Sequence, residues 1–77
     1  MAWIEKQQIE STNIDWVAYL LAEQLLIVSF VSGGIYLYRN FPSWQYQDLL
    51  SPPMRGITTG KYFKDQVEPY FKAVRLI

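Results

Sequence analysis

Few residues in this 77-residue chain have side chains suited to catalysis or to metal binding. The sequence contains no His and no Cys, so it lacks the commonest general base near neutral pH and the usual ligands of zinc and haem iron. Its serines consequently have no His partner, and no pair of carboxylates stands in a recognisable catalytic setting. Gly56 and Gly60 are not followed by the Gly-Lys-Ser/Thr triplet of a phosphate loop. The sequence therefore predicts no catalytic, cofactor-binding or metal-binding residues, no cofactor and a protein that is not an enzyme.

Glu23 is an acidic residue inside an otherwise apolar run. The run from Trp16 to Tyr38 is long enough, at about 1.5 Å per helical residue, to cross a hydrocarbon core of about 30 Å. Glu23 would then lie well inside the membrane, where an acid costs about 2.5 to 3.5 kcal/mol. Three interpretations stay open: Glu23 and Gln24 at the membrane boundary or against a second protein surface, Glu23 as an intramembrane proton or ion site, and the core helix of a soluble protein. We favour the first because it leaves no charge among lipid tails.

Small and aromatic residues define two further features of the predicted span. At 100° per residue, small side chains align along one stripe of a helix, and such stripes allow close helix packing in membranes. Aromatic and charged residues gather at both ends, as in an interfacial belt. The predicted helix-packing face comprises Ala18, Ala22, Leu25, Ser29, Ser32, Gly33 and Tyr36, and the predicted membrane-boundary residues are Trp16, Glu23, Gln24, Tyr38, Arg39 and Trp44.

The fold class that these patterns predict is all-α, with a single transmembrane helix and an extended, partly helical C-terminal arm. Residues 1–12 form an N-terminal polar or interfacial segment. Residues 13–41 form the helix, whose hydrophobic part covers about 25–41. Residues 42–77 form an irregular arm with short helices, because prolines recur through it. The stretch "SWQYQDLL", residues 43–50, is one of those helices.

Charge patterning excludes one class of partner. Seven Lys and Arg balance seven Asp and Glu, and the basic residues are scattered along the chain and not clustered in one stripe. A nucleic-acid binder needs a basic footprint for the phosphate backbone. We therefore expect no nucleic-acid partner.

The stretch "EQLLIVSFVSGGIYL", Glu23 to Leu37, resembles the span of the small, about nine-kilodalton, single-helix accessory subunit of the membrane arm of mitochondrial complex I. The resemblance implies a non-catalytic structural subunit that stabilises or assembles core subunits by helix packing and a wrapping tail. It also implies an integral membrane protein of the mitochondrial inner membrane, with lipids and other subunits of a multi-subunit membrane complex as partners. The alternative is a small single-span regulator of a transporter or membrane enzyme. A pigment-bearing or haem-bearing antenna polypeptide is disfavoured by the missing His.

Overall fold

An antiparallel sheet with two short helices on one face forms the framework of the molecule. The computed structural model describes residues 5–53 and 55–77. The strands lie side by side in chain order, so each pairs with its neighbours in the sheet. Both helices lie between the fourth and fifth strands. The elements are β1 (Gln7–Gln8), β2 (Ile14–Leu20), β3 (Leu25–Phe30), β4 (Ile35–Tyr38), α1 (Ser43–Leu50), α2 (Thr59–Gln66) and β5 (Ala73–Arg75).

The predicted all-α fold and the predicted transmembrane helix over residues 13–41 are wrong, because this segment folds as β2, β3 and β4 joined by two turns. The polar Glu23-Gln24 pair lies in the first turn, where Gln24 has a left-handed φ of 54°. Gly33 and Gly34 form the second turn with φ values of 107° and 94°, which glycine adopts without the strain of a Cβ atom. The polar pair and the two glycines thus mark the turns between strands.

Neither helix among the described residues has the length and apolarity needed to cross a membrane. Each has eight residues, about 12 Å at 1.5 Å per residue. The helix predicted over residues 43–50 is present as α1. Of the predicted N-terminal segment 1–12, residues 1–4 lie outside the described residues, whereas residues 7 and 8 form an exposed edge strand.

The hydrophobic core lies between the helices and the inner face of the sheet. The inner face carries alternate residues of each strand, because side chains point to opposite faces in turn. Phe41 follows β4 and is fully buried, and the Tyr19 hydroxyl donates a hydrogen bond to its carbonyl oxygen. The core cluster comprises Ile14, Val17, Leu26, Val28, Tyr38, Phe41, Leu49, Tyr62, Phe63 and Val67.

Side-chain hydrogen bonds hold the two helices together. The Gln45 amide nitrogen donates to the Gln66 carbonyl oxygen at 3.1 Å, and the Thr59 hydroxyl donates to the Leu49 carbonyl oxygen at 2.9 Å. Thr58 caps α2, since its hydroxyl accepts from the Lys61 backbone N–H at 3.2 Å. These bonds satisfy helix-end groups and hold α1 and α2 over the inner face as one layer.

We predict that Phe41→Ala lowers the free energy of unfolding by about 3 to 5 kcal/mol, because it leaves a cavity where the helices meet the sheet. The matched control is Trp44→Ala, which removes a ring that is 63% exposed on α1 and should cost far less. Urea unfolding followed by circular dichroism measures both. Equal losses in the two variants would contradict the assignment of Phe41 to the core.

A second prediction concerns alkaline pH. Burial, with a smaller effect of the Glu68 carboxylate, raises the pKa of Tyr38 from its ordinary value of 10.0 to about 12. Between these values the folded state keeps the phenol proton and the unfolded state loses it, so the free energy of unfolding falls as pH rises from about 10 to about 12. Unfolding measured across this range should show a smaller alkaline loss in Tyr38→Phe than in the parent chain. An identical loss in both proteins would contradict the prediction.

Candidate functional site

The outer face of the sheet, on the side away from the helices, is apolar, and no helix or strand formed by residues 5–53 and 55–77 lies over it. Cross-strand partners lie on the same face, so the strand register defines its rows. In one row Ala18, Ile27, Leu37 and Val74 stand side by side. The neighbouring rows contain Trp16, Ser29 and Ile35 in one case and Leu20 and Leu25 in the other. We call these nine residues the outer face. The polar Gln8 of β1 pairs with Trp16 and forms the edge of its row.

Apolar residues on an uncovered face depart from the usual pattern of antiparallel sheets. Such sheets normally bury one apolar face and present a polar face to water. Here Ile27 and Leu37 are only partly buried, Val74 is 40% exposed, and none of the three belongs to the core cluster. Large exposed apolar patches on folded domains mark interaction sites. The outer face is therefore the candidate functional site.

The exposed surface of the outer face comes from its large side chains. Ala18 is fully buried and Ser29 is 9% exposed, whereas Trp16, Leu20 and Ile27 are partly exposed beside them. The larger side chains therefore cover the two small residues and form the surface that a partner would meet.

A cation stands at the β1 edge of this face. The Lys6 ammonium nitrogen lies 4.7 Å from the centroid of the Trp16 ring, a cation–π contact. No acidic side chain occupies any of the nine positions of the outer face. The two edge strands are short, β1 with two residues and β5 with three, so they offer little template for pairing edge to edge.

A groove between α1 and α2 is a further candidate site. It has a volume of about 330 Å³. Asp48 and Asp65 line it, and the Lys61 ammonium lies 2.8 Å from an Asp65 carboxylate oxygen. Burial, and secondarily the Asp48 carboxylate, raise the pKa of Tyr62 in its wall. Since Asp65 already has a cationic partner, the groove is weaker than the outer face as a candidate site.

Another cleft, of about 420 Å³, lies at the turn between β3 and β4. Phe30, Tyr36 and Tyr38 line it together with Glu68. The Phe30 and Tyr36 rings meet edge to face with centroids 5.4 Å apart, and Phe30 meets Phe63 in the same way at 5.7 Å. These contacts tie the aromatic wall to the core. Within residues 5–53 and 55–77, no group of three or more acidic residues is placed to hold a metal ion.

The residues of the predicted helix-packing face do not form one stripe. Ala22 lies in the turn before β3, and Ser32 and Gly33 lie in the turn after it. Tyr36 is on the inner face and packs against the core. The other three, Ala18, Leu25 and Ser29, share the outer face. That helical stripe is wrong because the backbone alternates with a period of two in this segment.

The predicted membrane-boundary residues are scattered in the same way. Trp16 lies on the outer face, Glu23 and Gln24 lie in a turn, and Tyr38 is a core residue at 3% exposure. The remaining two, Arg39 and Trp44, are exposed on the loop after β4 and on α1.

Sequence reasoning missed five residues of the outer face, namely Leu20, Ile27, Ile35, Leu37 and Val74. A usable signal was present in the turn residues, because a Ser-Gly-Gly triplet between two apolar runs indicates a hairpin. Once that turn is recognised, the apolar run on either side of it has the length of a strand and not of a helix. A continuous apolar run of that length predicts a strand with apolar side chains on both faces.

Comparisons with known proteins agree with this architecture. The model of the KTSC domain family matches residues 10–71. A protein of Tsukamurella paurometabola is 37% identical over 70 residues, which cover 91% of this chain and 98% of that protein. The crystal structure of a KTSC domain protein from Yersinia pestis superposes with a TM-score of 0.85 at 20% identity, over 97% of this chain and 100% of that one.

These matches overturn the resemblance to the complex I accessory subunit. The function that this resemblance implied, a structural subunit of a membrane complex, is wrong. The alternative function, a single-span regulator, is wrong as well. The mitochondrial inner-membrane localisation and the integral membrane, lipid and subunit partners are wrong as well, since the supposed span forms strands shared with the Yersinia pestis fold. Because the family match covers most of its length, the chain belongs to the KTSC domain family.

Proposed function

We propose that this chain is a non-catalytic protein-interaction module that binds an apolar protein surface on its outer face. The observation that carries the proposal is the row of Ile27, Leu37 and Val74, which remains accessible to water on the side of the sheet opposite the helices. Transfer of apolar surface out of water contributes about 25 cal/mol per Å². Covering this row with a complementary surface therefore favours association.

A protein surface suits the outer face better than an anionic membrane or a nucleic acid does. Both of those partners are held largely by several Lys and Arg side chains. The outer face has Lys6 at one edge and no cation among its nine residues. The chain as a whole has a formal net charge of zero. An apolar centre with few charges is the composition of a protein–protein interface core.

Trp16 is the residue we expect to contribute most to binding a partner. Trp is enriched among the side chains that dominate interface energies. Its ring is partly exposed. The Lys6 ammonium lies over this ring and places a charged group beside the apolar centre of the outer face. The non-catalytic part of the proposal draws its support from the residue types, since the sequence offers neither His nor Cys.

We predict that a photo-reactive benzoylphenylalanine at position 27 forms discrete protein adducts in cells that express the chain. The same group at Trp44 is the matched control, because Trp44 is exposed on α1 across the sheet from the outer face. Adducts after irradiation are resolved by mass on a denaturing gel and identified by mass spectrometry.

Protein adducts at position 27 that are missing at position 44 support the proposed function, whatever the mass of the adduct. Adducts to lipid alone, equal adducts at both positions, or no adduct at position 27 would each refute it.

A further inference from the structure

We infer that the groove between α1 and α2 binds a small organic cation, a molecule that carries a guanidinium group on an apolar frame. The groove lies between the helices and not on the outer face, so this inference goes beyond the proposed function. Its volume of about 330 Å³ is at the lower end of the range of roughly 300 to 1,000 Å³ that small-molecule sites occupy. The groove therefore has room for one compact ligand.

The charged residues that line the groove are both acidic. Asp48 lies on α1 and Asp65 on α2, and the other lining residues are uncharged. Asp48 is half-buried, and among residues 5–53 and 55–77 no Lys or Arg forms an ion pair with it. Because a partly buried charge is less screened by water than an exposed one, a cation beside Asp48 gains more there than at the open surface. The charge of the groove thus selects a cation.

Tyr62 shows that the Asp48 charge acts across the groove. Tyr62 is a buried residue of α2, and Asp48 faces it from α1. Burial first, and the Asp48 carboxylate second, raise the pKa of the Tyr62 hydroxyl. A ligand cation between the two walls therefore lies in a negative field and against an aromatic ring.

Aromatic and apolar side chains surround the carboxylates. Trp44 precedes Asp48 by four residues on α1, so the two side chains share one side of the helix, and Trp44 is 63% exposed. Cations are attracted to the faces of aromatic rings, and Trp gives the strongest contact. Pro53 and Ile57 add apolar surface for the uncharged part of a ligand. The wall thus matches an organic cation in both its charge and its carbon frame.

The composition of the wall favours guanidinium over ammonium and over a metal ion. Guanidinium is more weakly hydrated than ammonium, so it loses less on entering a groove with apolar walls, and it stacks on aromatic rings. It also donates paired hydrogen bonds to a carboxylate. A metal ion needs more oxygen ligands, and no group of three or more acidic residues within 5–53 and 55–77 is placed to hold one.

Hydrogen bonds between the helices fix the walls before a ligand enters. The Gln45 amide nitrogen donates to the Gln66 carbonyl oxygen at 3.1 Å, and both residues line the groove. The Thr59 hydroxyl donates to the Leu49 carbonyl oxygen at 2.9 Å, which joins the helices at a second point. A preformed groove avoids the entropic cost of ordering its walls on binding.

The ion pair of Asp65 with Lys61 leaves Asp48 as the main anchor. The Lys61 and Asp65 side chains are both largely exposed, and Lys61 does not line the groove. Exposed pairs one helical turn apart contribute little to stability. A ligand cation held by Asp48 therefore shares Asp65 with Lys61 at small cost.

Titration of the isotope-labelled chain with butylguanidinium, followed by NMR, tests the inference. The resonances of Trp44, Gln45 and Gln66 should shift together and saturate with a dissociation constant of about 1 mM, a value in keeping with so small a ligand. Butylurea is the matched neutral probe, because it has the same shape without the charge. It should bind at least about tenfold more weakly, since it forms no charge-assisted hydrogen bond.

Variants of the groove locate the site. Asp48→Asn keeps the size of the side chain and removes its charge, so it should weaken butylguanidinium binding about tenfold. Trp44→Leu keeps an apolar side chain but removes the ring, and it should weaken binding by about two- to fivefold. The matched control is Asp15→Asn, the same change at an exposed position of β2 outside the groove, which should leave binding unchanged. Thermal unfolding checks that each variant folds, and Trp44→Leu carries the test if Asp48→Asn does not.

Four outcomes would overturn the inference. They are the absence of a saturable shift, equal binding of butylguanidinium and butylurea, equal weakening by Asp48→Asn and Asp15→Asn, and shifts confined to residues outside the groove. A blocked peptide with a central arginine that binds more tightly than butylguanidinium would also overturn it, because the occupant would then be a side chain of a partner protein. Cross-linking at position 27 is independent of all these outcomes, so the proposed function stands or fails separately.

Discussion

Burial of the inner sheet face beneath the helices is the interaction on which the rest of the structure depends. Phe41, Leu49 and Val67 are fully buried against the strands. A chain of this length buries only about 60% of its unfolded surface, so a single thin core supports the whole molecule. The segment between β4 and β5 supplies both helices, which cover one face of the sheet, and no other described element covers the opposite face.

The outer face follows from that two-layer design. Strands β2 and β3 carry apolar side chains on both faces, whereas a sheet covered on one side needs them on one face alone. The inner side chains pack in the core, whereas no other element among the described residues packs against the outer side chains. An extra apolar face weakens the distinction between alternative strand registers, since a slip by one residue exchanges one apolar face for the other. The turn conformations at Gln24 and at Gly33 and Gly34 limit that slippage.

The same two-faced pattern explains why the sequence predicted a membrane helix. Strands with one buried face show a period of two, but strands apolar on both faces form a continuous apolar run, which periodicity cannot distinguish from a buried or membrane helix. Ala18, Leu25 and Ser29 share the outer face of the sheet, and their spacing in the sequence also fits one stripe of a helix. Trp16 and Tyr38 resembled an aromatic belt, although one belongs to the outer face and the other to the core.

Local signals in the sequence determined a limited set of features. Residue types excluded imidazole and thiolate chemistry, because those groups are missing from the chain. The helix over residues 43–50 was predictable, since Pro42 before it and the prolines after it bound it locally. Tertiary structure alone decided the rest. The pairing of Leu37 with Val74, and the choice of which face the helices cover, depend on contacts between residues distant in sequence, which no local pattern encodes.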